Sequence, residues 1–298
     1  MEYIKALFEK DSLWIKSVFI IMIPLFFSIL FIGISYGVSS LFHITDETMK
    51  LKLMQLFSAT GMFVCASFVL AYLFSSNIRE FLSLRKPAVL VLILAILSMW
   101  VAIPMINFIG DLNNQITFPE SLKFMEEMLR AYEEKLAGLT EQLLASGNSF
   151  GGLALNLLVM AIIPALGEEL LFRGVIQNSL AKNLNNKLLA VWITAFLFSA
   201  IHFQFYGFIP RMLLGAYFGY LLIWSKSIWV PVTAHLANNA TIVLFYFFMK
   251  GKNPWVDLET VGVAGSPLCI IWITGSMLLF TLFAVLVLKK SKIVNLKS

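Results

Sequence analysis

Five ionisable side chains stand in stretches where nearly every neighbour is apolar: Glu168, Glu169 and Arg173 in the run ALGEELLFRGV, His202 in FSAIH and His235 in HLANN. A charge at the centre of a bilayer costs at least about 2.5–3.5 kcal/mol, so groups at that depth face the protein interior and mark a pathway or a site. Helical spacing sorts them. Glu169 and Arg173 are four residues apart and share a face, so the pair can neutralise itself. Glu168 is turned about 100° away, and the residue four further on is Phe172, which leaves it without a local counter-ion. A carboxylate of that kind, held in apolar surroundings, is suited to act as a general base. His235 and Asn239, also four apart, present an imidazole and a carboxamide on one face, both able to donate to an oxygen that develops negative charge. Phe198, four before His202, is placed to wall such a site against lipid.

Each group alone has a plainer role. A single membrane histidine commonly makes an interhelical hydrogen bond. An arginine near an interface can snorkel, and Asn238 or Asn239 alone would hold helices together. Taken together they are hard to read that way: two glutamates, two histidines and an asparagine fall on three apolar segments, and local pairing satisfies only one glutamate.

The elements that must position them are transmembrane helices. The chain has 298 residues, 59% of them hydrophobic and only 13% charged, against about 45–50% and about 25% in soluble domains. Apolar runs of the roughly 20 residues that span a bilayer are expected at about 15–41, 54–75, 88–109, 151–172, 188–206, 208–224, 228–248 and 267–288. This is an all-α polytopic membrane protein of about eight spans. The first run is too long for a signal-peptide core and reads as a retained span. No internal repeat supports an inverted-repeat transporter. The formal charge of +5 does not indicate nucleic-acid binding, because the basic residues sit at the ends of apolar segments. Cys65 and Cys269 fall inside expected spans, where a disulfide is not expected. With the N-terminus inside, fourteen of the 22 lysines and arginines fall in cytoplasmic segments, so both termini are expected in the cytoplasm.

Four regions follow: a three-helix membrane region (1–110), an acidic extracytoplasmic loop (111–150), the core carrying the polar groups (151–250), and a last span with a basic tail (251–298). The loop holds an amphipathic helix over about 119–145. Leu122, Met125, Leu129, Tyr132, Leu136, Leu139 and Leu143 recur at steps of three and four, and Thr117 with Glu120 could form a capping box. That stripe suits a helix lying on the protein's own rim or the membrane surface, or alternatively a homodimer seam.

The spacing of the polar groups resembles the CPBP family of intramembrane endopeptidases, which groups CAAX prenyl endopeptidases with bacteriocin-processing and immunity (Abi-type) proteins. Glu168, Glu169 and Arg173 match its Glu-Glu-x-x-x-Arg motif, Phe198 and His202 its Phe-x-x-x-His, and His235 and Asn239 its His-x-x-x-Asn. The resemblance covers about 150–250. It implies that Glu168 and His202 activate a water, that His235 and Asn239 hold the oxyanion, and that Glu169 and Arg173 are supports. The family is often labelled metalloprotease, and Glu168, His202 and His235 could make a zinc site of the open catalytic type. Asn239 suits a hydrogen-bond donor better than a ligand, so a glutamate mechanism without a cofactor is favoured and zinc is the alternative. The implied activity is hydrolysis of a membrane-associated peptide or protein in what reads as a prokaryotic plasma membrane. A non-catalytic immunity or scaffold protein and a proton-coupled carrier are the competing readings. His202 comes out deeper in the bilayer than Glu168 and His235, so convergence requires the fifth helix to begin near Asn185–Asn186 or to tilt. A water-filled cavity opening to the cytoplasm is expected.

Overall fold

The computed structural model describes residues 4–147, 149–249, 260–263, 265 and 268–297. The segment 250–259, which opens the expected last region, and the residues around 266–267, where the last span is expected to start, lie outside them. The described residues form helices joined by short turns, with no strand among them.

Every apolar segment becomes a helix. We name them α1 (Leu13–Leu41), α2 (Glu47–Phe74), α3 (Val89–Asn114), α4 (Lys123–Ala145), α5 (Phe150–Leu184), α6 (Lys187–Ala200), α7 (Phe208–Ser225), α8 (Trp229–Met249) and α9 (Cys269–Lys297). Seven of these are long and apolar enough to cross a membrane. The expected fifth span, 188–206, is instead the 14-residue α6, which ends at Ala200. At 1.5 Å per residue it is about 21 Å long. It still runs from one end of the bundle to the other, because the turn that follows it (201–207) is bonded to residues of α3 and α4 at the far end.

Helix boundaries follow local chemistry. Asp46 caps α2 by accepting from the N–H groups of Thr48 and Met49, Ser149 caps α5 through Gly152, and Asn186 caps α6 through Leu189. Asn185, with φ of 48°, takes the left-handed conformation that ends α5. The sixth helix therefore starts where convergence of the polar groups required. The capping box expected at Thr117 and Glu120 does not form. Leu122 precedes α4 without a side-chain cap, and Glu126, one turn inside, reaches back to the Phe118 N–H at 2.9 Å. The apolar stripe of α4 is mostly exposed; the helix is held by Glu133 and Gln142, which bond Tyr206 and Thr48, and by Leu144, which packs with Leu153 of α5 and Val243 of α8.

Two cores hold the bundle. One gathers α2, α5 and α6 around Leu70, Phe74, Leu171, Phe172 and Val175. The other packs α3, α7, α8 and α9 around Leu94, Met99, Phe218, Val230 and Val287. Close helix approach depends on small residues. A Cβ at Gly167 would meet Phe63 at 2.6 Å, and one at Gly219 would meet the Gln177 side chain at 2.7 Å. The helix carrying the glutamates is not uniform: π-helical turns at Leu158–Ile162 and Leu170–Gln177 bracket Ile163–Glu169, a widening often found at functional sites.

Candidate active site

Glu169 and Arg173 pair as their spacing requires, Arg173 Nη1 donating to Glu169 Oε1 at 2.7 Å with neither side chain exposed. The pair also reaches two neighbouring helices. Arg173 Nη2 donates to the Gly215 carbonyl of α7 at 2.8 Å, and one turn along, Gln177 donates to the Gly219 carbonyl at 3.1 Å. Both carbonyls belong to glycines, so no Cβ keeps the two helices apart. On α8, His235 Nδ1 lies 2.9 Å from Glu169 Oε1. A carboxylate paired with arginine accepts only, so Nδ1 carries the hydrogen and the bond fixes the ring. Glu169 thus orients an imidazole as well as its own helix, a role its spacing with Arg173 did not disclose.

The fixed ring presents Nε2 to Glu168, whose Oε2 is 3.9 Å away. His235 stacks on Phe218 with ring centroids 5.0 Å apart. Phe198 is more than a wall against lipid. Its ring contacts His202 (5.3 Å), His235 (5.9 Å) and Phe172 (5.2 Å), and the Arg173 guanidinium lies 4.5 Å from its centroid. His202 is not on a span: it lies in the turn just beyond α6. Its Nδ1 is 2.8 Å from the Phe198 carbonyl. A carbonyl cannot donate, so Nδ1 carries the hydrogen and Nε2 is left as an acceptor.

Glu168, His202, His235 and Asn239 line one cavity of about 290 Å³ together with Phe198, Phe218 and Arg211. Asn239 Oδ1 accepts from Asn238 Nδ2 at 3.2 Å. All the residues singled out by type and spacing thus meet, Glu169 and Arg173 behind the cavity and the others on its wall. A second, larger cavity of about 470 Å³, mostly apolar, adjoins it through Ile106, Leu214 and Asn238.

Two features differ from the sequence reading. Arg211, on the first turn of α7, belongs to the cavity, although its place at the end of a span suggested an interfacial anchor. Its Nη2 donates to the Gln204 side chain, and it lines the same cavity as Glu168. A Cβ at Gly207 would stand 3.0 Å from Arg211 Nη2, so glycine there leaves room for the guanidinium. The second difference is direction. The expected opening toward the termini is closed by fully buried groups, among them Glu169, Arg173, Phe218 and Leu221. The cavity extends instead toward Gly207 and Arg211, at the end of the bundle where α4 lies.

As a metal centre the donors fit in type and fail in placement. Each histidine has its Nδ1 hydrogen committed to an oxygen and its Nε2 lone pair free, as zinc ligands do. Among the described residues, however, no three His, Cys, Asp or Glu side chains converge on one ion.

A buried Glu–Arg pair thus orients one of two histidines beside a second glutamate in one cavity. Residues 150–241 match the family model described as type II CAAX prenyl endopeptidase Rce1-like, and this region contains all three motifs. The Bacillus subtilis protein YpbD is 27% identical over 89 residues, covering 28% of this chain and 42% of that protein. The Bacillus subtilis protein named "Putative membrane peptidase YdiL" is 30% identical over 90 residues, covering 30% of this chain and 36% of that protein. The chain therefore spans less than half the length of these relatives. No solved structure matches it.

Proposed function

We propose that the protein is an integral-membrane endopeptidase that cuts a peptide bond of a membrane-associated protein with a glutamate-activated water. One observation carries this reading: Glu168, His202, His235 and Asn239, from three separate parts of the chain, line the same cavity. Water gives a proton to the Glu168 carboxylate as its oxygen attacks the carbonyl carbon, and the Nε2 lone pair of His202 holds the same water by accepting its other hydrogen. The carbonyl oxygen becomes an oxyanion, held by the Asn239 carboxamide and by His235 Nε2. Nε2 donates in the form of the ring that carries both hydrogens, with Nδ1 bonded to Glu169. The C–N bond then breaks, and Glu168 returns the proton to the departing amine nitrogen. The adjoining apolar cavity suits the hydrophobic residues of a membrane-associated substrate.

The test is cleavage of a membrane-tethered peptide by the purified full-length chain. Glu168→Gln is expected to lower kcat by about 10²–10⁴-fold, and Asn239→Ala by about 10²–10³-fold. Retained cleavage by Glu168→Gln would overturn the assignment of the base. Activity lost on chelation and restored by zinc would replace the mechanism with the metal-dependent alternative. A peptide bound equally by wild type and Glu168→Gln but cut by neither would make the protein a non-catalytic binder of the immunity or scaffold kind. The exposed Leu122, Met125, Tyr132 and Leu139 of α4 leave its seam open to a second copy, and cross-linking through that helix tests the homodimer.

A further inference from the structure

The two ends of the bundle differ in charge, and the described residues that line the cavity lead toward one of them. At the first end, the Ala6 N–H donates to Tyr72, the Ile228 N–H donates to Ser83, and Ser227 Oγ donates to Arg85. This joins the N-terminal segment, the α2–α3 connection and the α7–α8 turn. The C-terminal half of α9 returns to the same end, where Val287 packs with Val91 and Val230. Basic residues crowd here, among them Lys10, Arg79, Arg85, Lys86, Lys187 and Lys226. At the second end, Asn113 donates to the Phe205 carbonyl, Glu133 accepts from the Tyr206 N–H, and Gln142 donates to Thr48. This joins α3, α4, the start of α2 and the turn after α6. The loop here is acidic, with seven Asp or Glu against three basic residues over 110–150. Cytoplasmic segments carry the excess of lysine and arginine, which assigns the first end to the cytoplasm.

Glu168 lies between these ends, but its surroundings are one-sided. Toward the basic end stand Glu169, Arg173 and Gln177, bonded to one another or to α7, with Phe218 and Leu221 packed beside them, all buried. Toward the acidic end the cavity continues past Pro210 to Gly207 and Arg211. Beyond that rim lies Glu133 of α4, which accepts from the Tyr206 N–H of the turn that carries Gly207. We infer that the cavity receives its substrate from the extracytoplasmic side, past a rim made by Arg211, Gly207 and Gln204, so that the peptide cut is an outward-facing segment of a membrane-anchored or exported protein. The inference rests on the peptidase reading for the nature of its substrate, and on fold and charge alone for its direction.

Single-cysteine versions of the full chain, built on Cys65→Ser/Cys269→Ser, test the direction without any substrate. Gln204→Cys reports the rim, Glu120→Cys the acidic loop and Lys226→Cys the basic end. Each is exposed in intact bacterial cells to a membrane-impermeant maleimide, before and after permeabilisation. Gln204→Cys and Glu120→Cys are expected to react in intact cells, and Lys226→Cys only after permeabilisation. The reverse pattern for all three would mean an inverted bundle and would overturn the inference. So would a Gln204→Cys that stays unreactive or reacts only after permeabilisation while Glu120→Cys reacts in intact cells. The outcome is separable from the peptidase reading: outward labelling with no peptide ever cut sinks that reading alone, and a cut peptide with inward labelling sinks this inference alone.

Discussion

At the scale of single residues, the site rests on how one buried carboxylate is shared. Glu169 Oε1 holds both Arg173 Nη1 and His235 Nδ1, so the arginine that neutralises it also sets the imidazole beside Glu168. Removing one partner of a buried pair leaves the other charged and unsolvated, at a cost of about 3–5 kcal/mol. Arg173→Met is therefore expected to lower stability by that order, read as the unfolding midpoint in mild detergent, and the double variant Glu169→Gln/Arg173→Met should recover much of it. A double variant no more stable than Arg173→Met would show that the arginine acts through packing on Phe198 and not through charge. Activity should not recover with stability, because the Glu169 carboxylate no longer fixes His235. Residue types and spacing were enough to find Glu168, Glu169, Arg173, His202, His235 and Asn239, since ionisable groups stand out in an apolar chain. They did not find Arg211. Four residues into α7, a guanidinium has the same sequence signature whether it anchors at a headgroup or turns inward beside Gly207.

At the scale of elements, helix α5 must lie close against α7 for its polar groups to reach the Gly215 and Gly219 carbonyls. A methyl group at Gly219 would overlap the Gln177 side chain and stand 3.0 Å from Val191. Overpacking of this kind costs about 1–3 kcal/mol, and Gly219→Ala is expected to lower both the unfolding midpoint and peptide cleavage. Gly33 on α1, where an added Cβ would have nothing within 4 Å, is the control. Gly33→Ala should be neutral or stabilising by up to about 1 kcal/mol, and equal losses for the two variants would contradict the close-approach account. The start of α4 carries a pH dependence. The Phe118 N–H and Arg130 hold the Glu126 carboxyl below its ordinary value of 4.5. A depressed carboxyl contributes stability above its unfolded-state value and loses it as pH falls through the lower folded-state value. The protection factors of the 116–126 junction, exchange rates corrected for the intrinsic pH dependence, should therefore fall below about pH 4.5, and Glu126→Gln should already be weakly protected at neutral pH; unchanged protection in that variant would remove Glu126 from the account. Apolar run length made the helices legible, and Asn186 marked where α6 begins. The π-helical turns around Ile163–Glu169 were not legible, because they are set by packing and leave the hydrophobic pattern unchanged.

At the scale of the whole molecule, the packed layer behind the cavity is the feature that would distinguish a hydrolase from a carrier. Both can use buried glutamate and histidines, and the sequence could not tell them apart beyond noting that the polar groups cluster. The direction of the opening was also hidden, because it depends on His202 lying past the end of α6 and on tertiary packing of Arg173, Phe218 and Leu221 across the other side. A proton-coupled carrier needs ionisable or hydrated groups leading away from Glu168 toward both faces. Here the groups on the basic side are tied across helices, Arg173 to Glu169 and Gly215 and Gln177 to Gly219, with apolar side chains packed around them, and Glu169 Oε2, Arg173 Nε and Gln177 Oε1 are buried without a partner among the described residues. Opening that layer would break a buried ion pair, a cost of several kcal/mol per transport cycle. Proteoliposomes holding the full chain, loaded with a pH-sensitive dye and given a pH step, are therefore expected to relax at the rate of protein-free vesicles, with wild type and Glu168→Gln indistinguishable. Faster relaxation in wild type that Glu168→Gln abolishes would establish a proton path through the sealed layer and turn the reading from hydrolysis to transport. The same vesicles with Arg173→Met, where the seal loses its ion pair, should leak more than wild type if that layer is what keeps the two sides apart.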